Sequence, residues 1–351
     1  MNGEEDPLIP TAAAANEASQ QAASSASAAA DSASSVKGNP GASRPSILAR
    51  IKTAILYTIT FIARLIIREP KRVTVESVDV HVRNLPDNLS GLRIAFLSDF
   101  HFNRTDHYMR RVRAELLDDI VTKTTALHPD IILLGGDYID WDGHDIDLFS
   151  QNWGRLLSQI PRYGTYGVIG NHDQFLSDSK ERIVASLESI GVRVLDNTTV
   201  VPVPGLAVIG LGDWGTPGDF RPDIAVPASL NESDACRVLL THNPDCMESL
   251  GDMKADLQLC GHTHGGQIRL PWIGPLIPFM VDKLKLGVCS KALRRKYNAV
   301  KNWEWAAGMH TIENKGYLNR DKTLYVTRGI GTHPPIRLFC APELTLITLK
   351  K

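Results

Sequence analysis

The pattern of apolar and polar positions divides the chain at residue 73. Beyond it, Val73, Val75, Val78, Val80 and Val82 alternate as on a half-buried strand, and the run Leu92 to Leu97 is almost wholly apolar, as on a strand covered on both faces. A helical period follows, with Met109, Val112, Leu116, Leu117, Ile120 and Val121 on one face. Strand 131–134, helix 148–160, strand 166–169 and helix 181–190 continue the alternation, and further strands are predicted at 192–195, 206–211, 236–241 and 257–260. Strands alternating with helices predict an α/β fold with a largely parallel, covered sheet. In such sheets ligands bind beyond the carboxyl ends of the strands.

Before residue 73 the pattern changes twice. Residues 46–68 are rich in Ile and Leu, while Arg50, Thr53, Tyr57, Thr60, Arg64 and Arg68 fall on one narrow stripe of a helix. Residues 46–72 are therefore predicted to form an amphipathic helix lying in a bilayer interface with its arginines toward the phosphates. A short span with Arg64 snorkelling, or packing on the protein's own core, would use the same pattern. Arg68, Lys71 and Arg72 favour an anionic cytoplasmic leaflet. Residues 1–45, mostly Ala, Ser, Gln and Asn, lack the apolar surface needed to offset the entropy of ordering and are predicted to be a disordered tail. The acidic start (Glu4, Glu5, Asp6) does not resemble a cleavable signal peptide.

Composition narrows the function classes. A net charge of −1 over 351 residues carries no basic excess for nucleic acid. The five cysteines include no CxxC pair and read as reduced core residues rather than a disulfide frame.

The chemistry lies where the strands end. Asp99-Phe100-His101, Gly135-Gly136-Asp137, Gly170-Asn171-His172-Asp173, Thr241-His242-Asn243 and Gly261-His262-Thr263-His264 each follow a predicted strand. Singly, each has an ordinary structural role: an Asp after a strand caps a helix, and Gly-Asn makes a turn. Together they gather carboxylate, imidazole and amide donors in numbers suited to two adjacent metal ions.

As an ordered set, D-x-H, G-D, G-N-H-D, H and G-H-x-H resembles the calcineurin-like metallophosphoesterase superfamily over roughly residues 91–347. Ser98-Asp99-Phe100-His101, Gly261 to Gln267 and Thr327-Arg328-Gly329-Ile330-Gly331 further resemble a bacterial membrane-associated subgroup. That subgroup includes YkuE- and YaeI-type phosphodiesterases and LpxG-type UDP-2,3-diacylglucosamine pyrophosphatases. The resemblance implies a four-layer αββα sandwich over 73–351 with a dimetal site at the strand ends. It implies Asp99, His101 and His264 on one metal, Asn171, His242 and His262 on the other, and Asp137 bridging both. It makes His172 the group that stabilises phosphoryl charge or protonates the leaving oxygen, oriented by Asp173. Mixed N/O ligation suits Mn²⁺, Fe or Zn²⁺, and family habit favours Mn²⁺.

Residues 270–322 carry apolar (271–273, 276–280) and basic (Lys283, Lys285, Lys291, Arg294, Arg295, Lys296, Lys301) stretches. They suit either a peripheral solvated helix or a lid-like insertion over the site. Arg104, Arg328 and Arg337 are candidates to clamp phosphate, because guanidinium matches its geometry; Arg337 is equally placed as a surface strand residue. Together with the subgroup resemblance, the expectation is a hydrolase acting at the cytoplasmic face of a bacterial inner membrane on a lipid-linked phosphoester. The expected reaction is cleavage of the lipid A precursor UDP-2,3-diacylglucosamine to UMP and 2,3-diacylglucosamine 1-phosphate. A broad phosphodiesterase or phosphatase at the membrane and a non-catalytic membrane-tethered scaffold are the alternatives, and no nucleic-acid partner is expected. The sequence leaves the oligomeric state open.

Overall fold

Two six-stranded sheets stack face to face and place their ligand-bearing strand ends along a common rim. The computed structural model describes residues 72–102, 114–140, 145–157, 161–175, 178–216, 219–231, 234–251, 253–283, 297–312, 322–332 and 337–351. The expected tail and almost all of the expected anchor helix lie outside these residues. Among the described residues no helix is long and apolar enough to cross a membrane.

The first sheet comprises β1 (Thr74–His81), β2 (Arg93–Leu97), β3 (Ile131–Leu134), β4 (Thr165–Gly167), β5 (Val192–Val194) and β14 (Glu343–Lys350), in the order β1-β14-β2-β3-β4-β5. The second comprises β6 (Thr198–Val203), β7 (Leu206–Gly210), β8 (Cys236–Leu240), β9 (Leu257–Cys260), β12 (Gly308–Ile312) and β13 (Lys322–Val326), in the order β12-β13-β9-β8-β7-β6. The four-residue strand Ile131–Leu134 is buried throughout because both of its faces are covered.

Period-two alternation distributes each strand between two cores. Ile94, Phe96, Ile131 and Leu133 meet Val208, Val238, Leu240, Leu257 and Leu259 between the sheets. Ala95, Leu97, Ile132 and Leu134 instead face helices α1 (Ala114–Ala126), α2 (Asp145–Leu157) and α3 (Ser179–Ser189), through Leu116, Ile120, Phe149, Trp153, Ile183 and Leu187. The outer face of the second sheet packs Ile209, Leu239, Leu324 and Val326 against Leu230, Met247 and Leu250 from short helical turns. This is the expected helix–sheet–sheet–helix order.

β2, β3 and β4 run parallel in one sheet, and β7, β8, β9 and β13 in the other. Their carboxyl ends consequently share an edge in each sheet. An aromatic cluster supports the first sheet's loops there, with Phe100 stacked on Tyr138 at 6.2 Å and edge-on to Trp153 at 5.0 Å. Each such buried aromatic stabilises the fold by roughly 1.5–3 kcal/mol.

The insertion expected at 270–322 narrows. Gly308–Ile312 is an antiparallel sheet strand paired with Lys322–Val326, not part of a lid. Lys301 and Asn302 donate backbone N–H groups to the buried Asp245 carboxylate at 2.7 and 3.0 Å, pinning the segment before that strand. Residues 284–296, with most of the basic run, lie outside the described residues.

Candidate metal centre

The site is assembled from loops that turn back sharply as each strand ends. Five of the seven predicted ligands hold positive φ: Asp99 (57°), His101 (46°), Asp137 (54°), His262 (67°) and His264 (51°). L residues enter that region at a cost of about 1–2 kcal/mol, and its concentration here marks a functional constraint. The turns also need glycine for close approach. A Cβ on Gly261 would overlap Ser98 Oγ and Asp99 Oδ2, and one on Gly170 would overlap Asp137 Oδ1.

The predicted donors converge in two sets. In the first, His101 Nε2 lies 2.8 Å from His264 Nε2, and His264 Nε2 lies 3.5 Å from Asp99 Oδ1. In the second, Asn171 Oδ1 is 3.1 Å from His242 Nε2 and 2.9 Å from His262 Nδ1, and the two imidazole nitrogens are 3.2 Å apart. Asp137 Oδ2 stands between the sets, 3.5 Å from His101 Nε2 and 3.2 Å from His242 Nε2. Each ring of the second set is steered from behind, His242 by a 2.8 Å bond from Nδ1 to the Gly135 carbonyl and His262 by a 2.9 Å bond from Nε2 to the Ala299 carbonyl. Asp99, His101, Asp137 and His242 are buried, whereas Asn171, His172 and His262 are partly open and line the accessible side of the site.

His172 stands beside the first set, its ring edge-on to His101 at 4.7 Å between centroids. Asp173, expected to orient it, is placed elsewhere. Its Oδ2 accepts from the N–H groups of Asp137 and Gly170, both at 2.9 Å, and its Oδ1 from Tyr138 at 2.8 Å and Ile139 at 3.3 Å. Asp173 therefore stitches the loop after β3 to the loop after β4. The residue that holds His172 is Asp140: its carbonyl accepts from Nδ1 at 2.8 Å, and its carboxylate lies 3.6 Å from that nitrogen and 3.7 Å from His101 Nδ1.

Electrostatics follow from burial opposed by close partners. Burial alone would raise the Asp137 carboxyl, but His242, His172 and His101 hold it well below the usual carboxylate range. Burial would lower His242, yet Asp137, Asp99 and Asp213 push it up to about 10. His172 is pulled down, chiefly by burial, with Asp137 and Asp140 opposing. Burial and neighbouring Asp137 push Asp173 up to about 7, against the pull of its N–H donors.

Of the three arginines expected to clamp phosphate, the two described ones are engaged by the protein itself. Arg104 lies outside the described residues. Arg328 is committed to Glu76 at 2.6 Å and Glu343 at 3.1 Å. Arg337 is buried, and its donors serve the carbonyls of Arg328, Gly329 and Gly331, with Nη2 3.3 Å from His264 Nδ1. It supports His264 from behind. The sequence reading missed Asp140 and the buried Asp213. Asp213 follows β7 as Leu211-Gly212-Asp213, the same strand-Gly-Asp order that announces Asp137.

The donor set fits divalent cations. Asp99 Oδ2 is fully buried with no hydrogen-bond partner among the described residues, a costly state for a charged oxygen unless a cation meets it. Three overlapping triads (Asp99, His101, His264; His101, Asp137, His172; Asp99, Asp137, His242) each bring ligand atoms within 4.8 Å of one another.

A sequence profile of calcineurin-like phosphoesterases matches residues 92–266. The chain is 33% identical over 269 residues to Phosphodiesterase YaeI of Escherichia coli (strain K12), covering 75% of this chain and 84% of that protein. The chain belongs to the calcineurin-like phosphoesterase family. Similar proteins also include the metallophosphoesterase YkuE of Bacillus subtilis (strain 168), 26% identical with 80% of this chain and 87% of that one covered. UDP-2,3-diacylglucosamine pyrophosphatase LpxG of Chlamydia muridarum (strain MoPn / Nigg) is 24% identical, with 80% and 90% covered. As a calcineurin-like phosphoesterase the protein is a metal-dependent phosphoester hydrolase using divalent ions.

Proposed function

We propose that this phosphoesterase uses two metal ions to cleave the pyrophosphate of UDP-2,3-diacylglucosamine, giving UMP and 2,3-diacylglucosamine 1-phosphate for lipid A synthesis. The observation that carries the dimetal chemistry is Asp137 Oδ2, within 3.5 Å of one donor set and 3.2 Å of the other. Asp99, His101 and His264 would hold the first ion, Asn171, His242 and His262 the second, and Asp137 both. Bound divalent cations supply Lewis-acid polarisation of the phosphoryl group and lower the pKa of the attacking water. Mn²⁺ is the proposed metal.

His172 is the remaining reactive group at the open side. Its ring is fixed through Nδ1 by Asp140, so it acts through Nε2, stabilising charge on the phosphoryl oxygens or giving a proton to the leaving oxygen. The attacking water supplies the oxygen that replaces the broken P–O bond.

The name of the Chlamydia relative supports the lipid-linked diphosphate. The partly open Asn171–His172–His262 side supports entry of a bulky substrate. The apolar, arginine-striped run at 46–68 supports placement at the cytoplasmic face of a bacterial inner membrane. A second reading is a broad phosphodiesterase at the membrane, and the name of the Escherichia coli relative supports its phosphodiesterase activity.

Hydrolysis of the candidate lipid in ¹⁸O-labelled water tests the reading. Metal-dependent release of UMP is expected, and the labelled product identifies the attacked phosphorus. Turnover of aryl phosphodiesters without UMP release would leave the broad activity. Failure on every phosphoester by metal-loaded protein would mean a non-catalytic scaffold.

A further inference from the structure

Beyond the metal loop the chain builds an apolar prominence. β10 (Arg269–Leu270) and β11 (Gly274–Pro275) pair antiparallel, and the turn between them carries Trp272, wholly exposed at 103%, and Ile273, 53% exposed. The segment from Arg337 to Ala341 is zipped to this hairpin. Ile268 bridges Leu338, the Leu338 N–H donates to the Gln267 carbonyl at 2.8 Å, and the Arg269 N–H donates to the Leu338 carbonyl at 3.0 Å. Phe339, 69% exposed, is thereby set on the same cleft as Trp272, Ile273 and Arg269.

Both aromatics hold positive φ, 63° at Trp272 and 52° at Phe339. Bulky side chains are genuine outliers there. A fold adapted only to water gains nothing by turning two large aromatics outward from strained backbone.

Behind the prominence lies an open cavity of about 670 Å³ walled by Thr74, Glu76, Arg269, Arg328 and Phe339, among others. Arg269 Nη1 donates to the Gly265 carbonyl at 2.9 Å, and among the described residues no carboxylate pairs with this guanidinium. Thr74 places the start of β1 at the same cavity, and the apolar run at 46–68 ends six residues earlier. Six residues reach about 20 Å at most, so the end of that run is tethered within this distance of Thr74.

We propose that this face docks on a lipid bilayer: Trp272, Ile273 and Phe339 enter the boundary between headgroups and acyl chains, and Arg269 binds a lipid headgroup phosphate. Tryptophan rings favour that boundary, and guanidinium matches phosphate. A second copy on the same patch would bring two Arg269 guanidinium groups into one isologous interface. The inference rests on the reading of a lipid-linked substrate. It adds where the membrane sits, since only Gly265, Gly266, Gln267 and Ile268 separate Arg269 from His264.

Full-length protein is mixed with phosphatidylcholine–phosphatidylglycerol vesicles containing brominated lipid, and its emission is compared with that of Trp272→Phe. The chain has six tryptophans, so the difference between the two isolates Trp272. Its emission is expected to shift to the blue and be lost to bromine quenching. Trp272→Ser/Phe339→Ser should weaken vesicle binding about tenfold or more, and Arg269→Gln should weaken it most at low salt. Trp272 emission that is neither shifted nor quenched overturns the proposal. The same result follows if a second copy or the chain's own 46–68 run covers the patch. UMP release is scored separately: release without quenching removes the docking face alone, and quenching without release removes the proposed substrate alone.

Discussion

Replacing Asp140 by Asn tests which carboxylate governs His172. The substitution keeps the side-chain shape and the main-chain carbonyl that accepts from His172 Nδ1 at 2.8 Å. It removes only a charge 3.6 Å from that nitrogen and 3.7 Å from His101 Nδ1. Unit charges at that separation interact by roughly 4–5 kcal/mol at an effective dielectric near 20. Losing that charge favours the neutral form of His172 over the protonated one. Burial already pulls this imidazole down, so losing Asp140 depletes the proton donor further. At saturating metal, kcat should fall by about 10²–10³ for an ester with a poor leaving group, the range of general-acid catalysis. A nitrophenyl ester, whose leaving group needs no proton, should lose far less, with KM changing little for either. The assay is steady-state kinetics on both substrates, with metal content measured in parallel. A kcat within about threefold of wild type for both esters would refute the role of Asp140. So would the same leaving-group signature from Asp173→Asn.

Three further outcomes follow from the site. Asp137→Asn should lose at least one metal equivalent by elemental analysis and about three decades or more of activity; retention of both metals with full turnover would remove the bridging role. Gly261→Ala forces a Cβ against Ser98 Oγ and Asp99 Oδ2 and should lower stability by about 1–3 kcal/mol in denaturant unfolding, with weaker metal retention. An unchanged midpoint would show that the loop yields freely. With His242 pushed up to about 10 in the metal-free site, metal must displace its proton at neutral pH, so loading should release protons and tighten up to tenfold per unit rise in pH. Calorimetric titration in two buffers of different ionisation enthalpy measures this, and identical heats would exclude proton release.

The sequence by itself determined the layers and the donors, because both are local. Alternation of apolar residues decides which side of a strand is buried, and a ligand directly after a strand is carried to the sheet edge wherever that strand sits. Asp99, Asp137, His242 and His262 were legible for that reason, and Asp213 would have been under the same strand-Gly-Asp order. Only the tertiary structure decided the partnerships. Asp173 and Asp140 lie one residue after and 32 residues before His172, yet the distant residue meets its ring while the neighbour binds backbone of another loop. Arg328 and Arg337 have the chemistry to hold phosphate, but Glu76, Glu343 and buried carbonyls occupy them. The apolar stretch 271–273 was visible along the chain, but its pairing with Phe339 depends on a bridge between residues 70 positions apart. Hydrogen-bond and charge partners depend on separation in space, which a folded chain sets through contacts its local pattern does not specify.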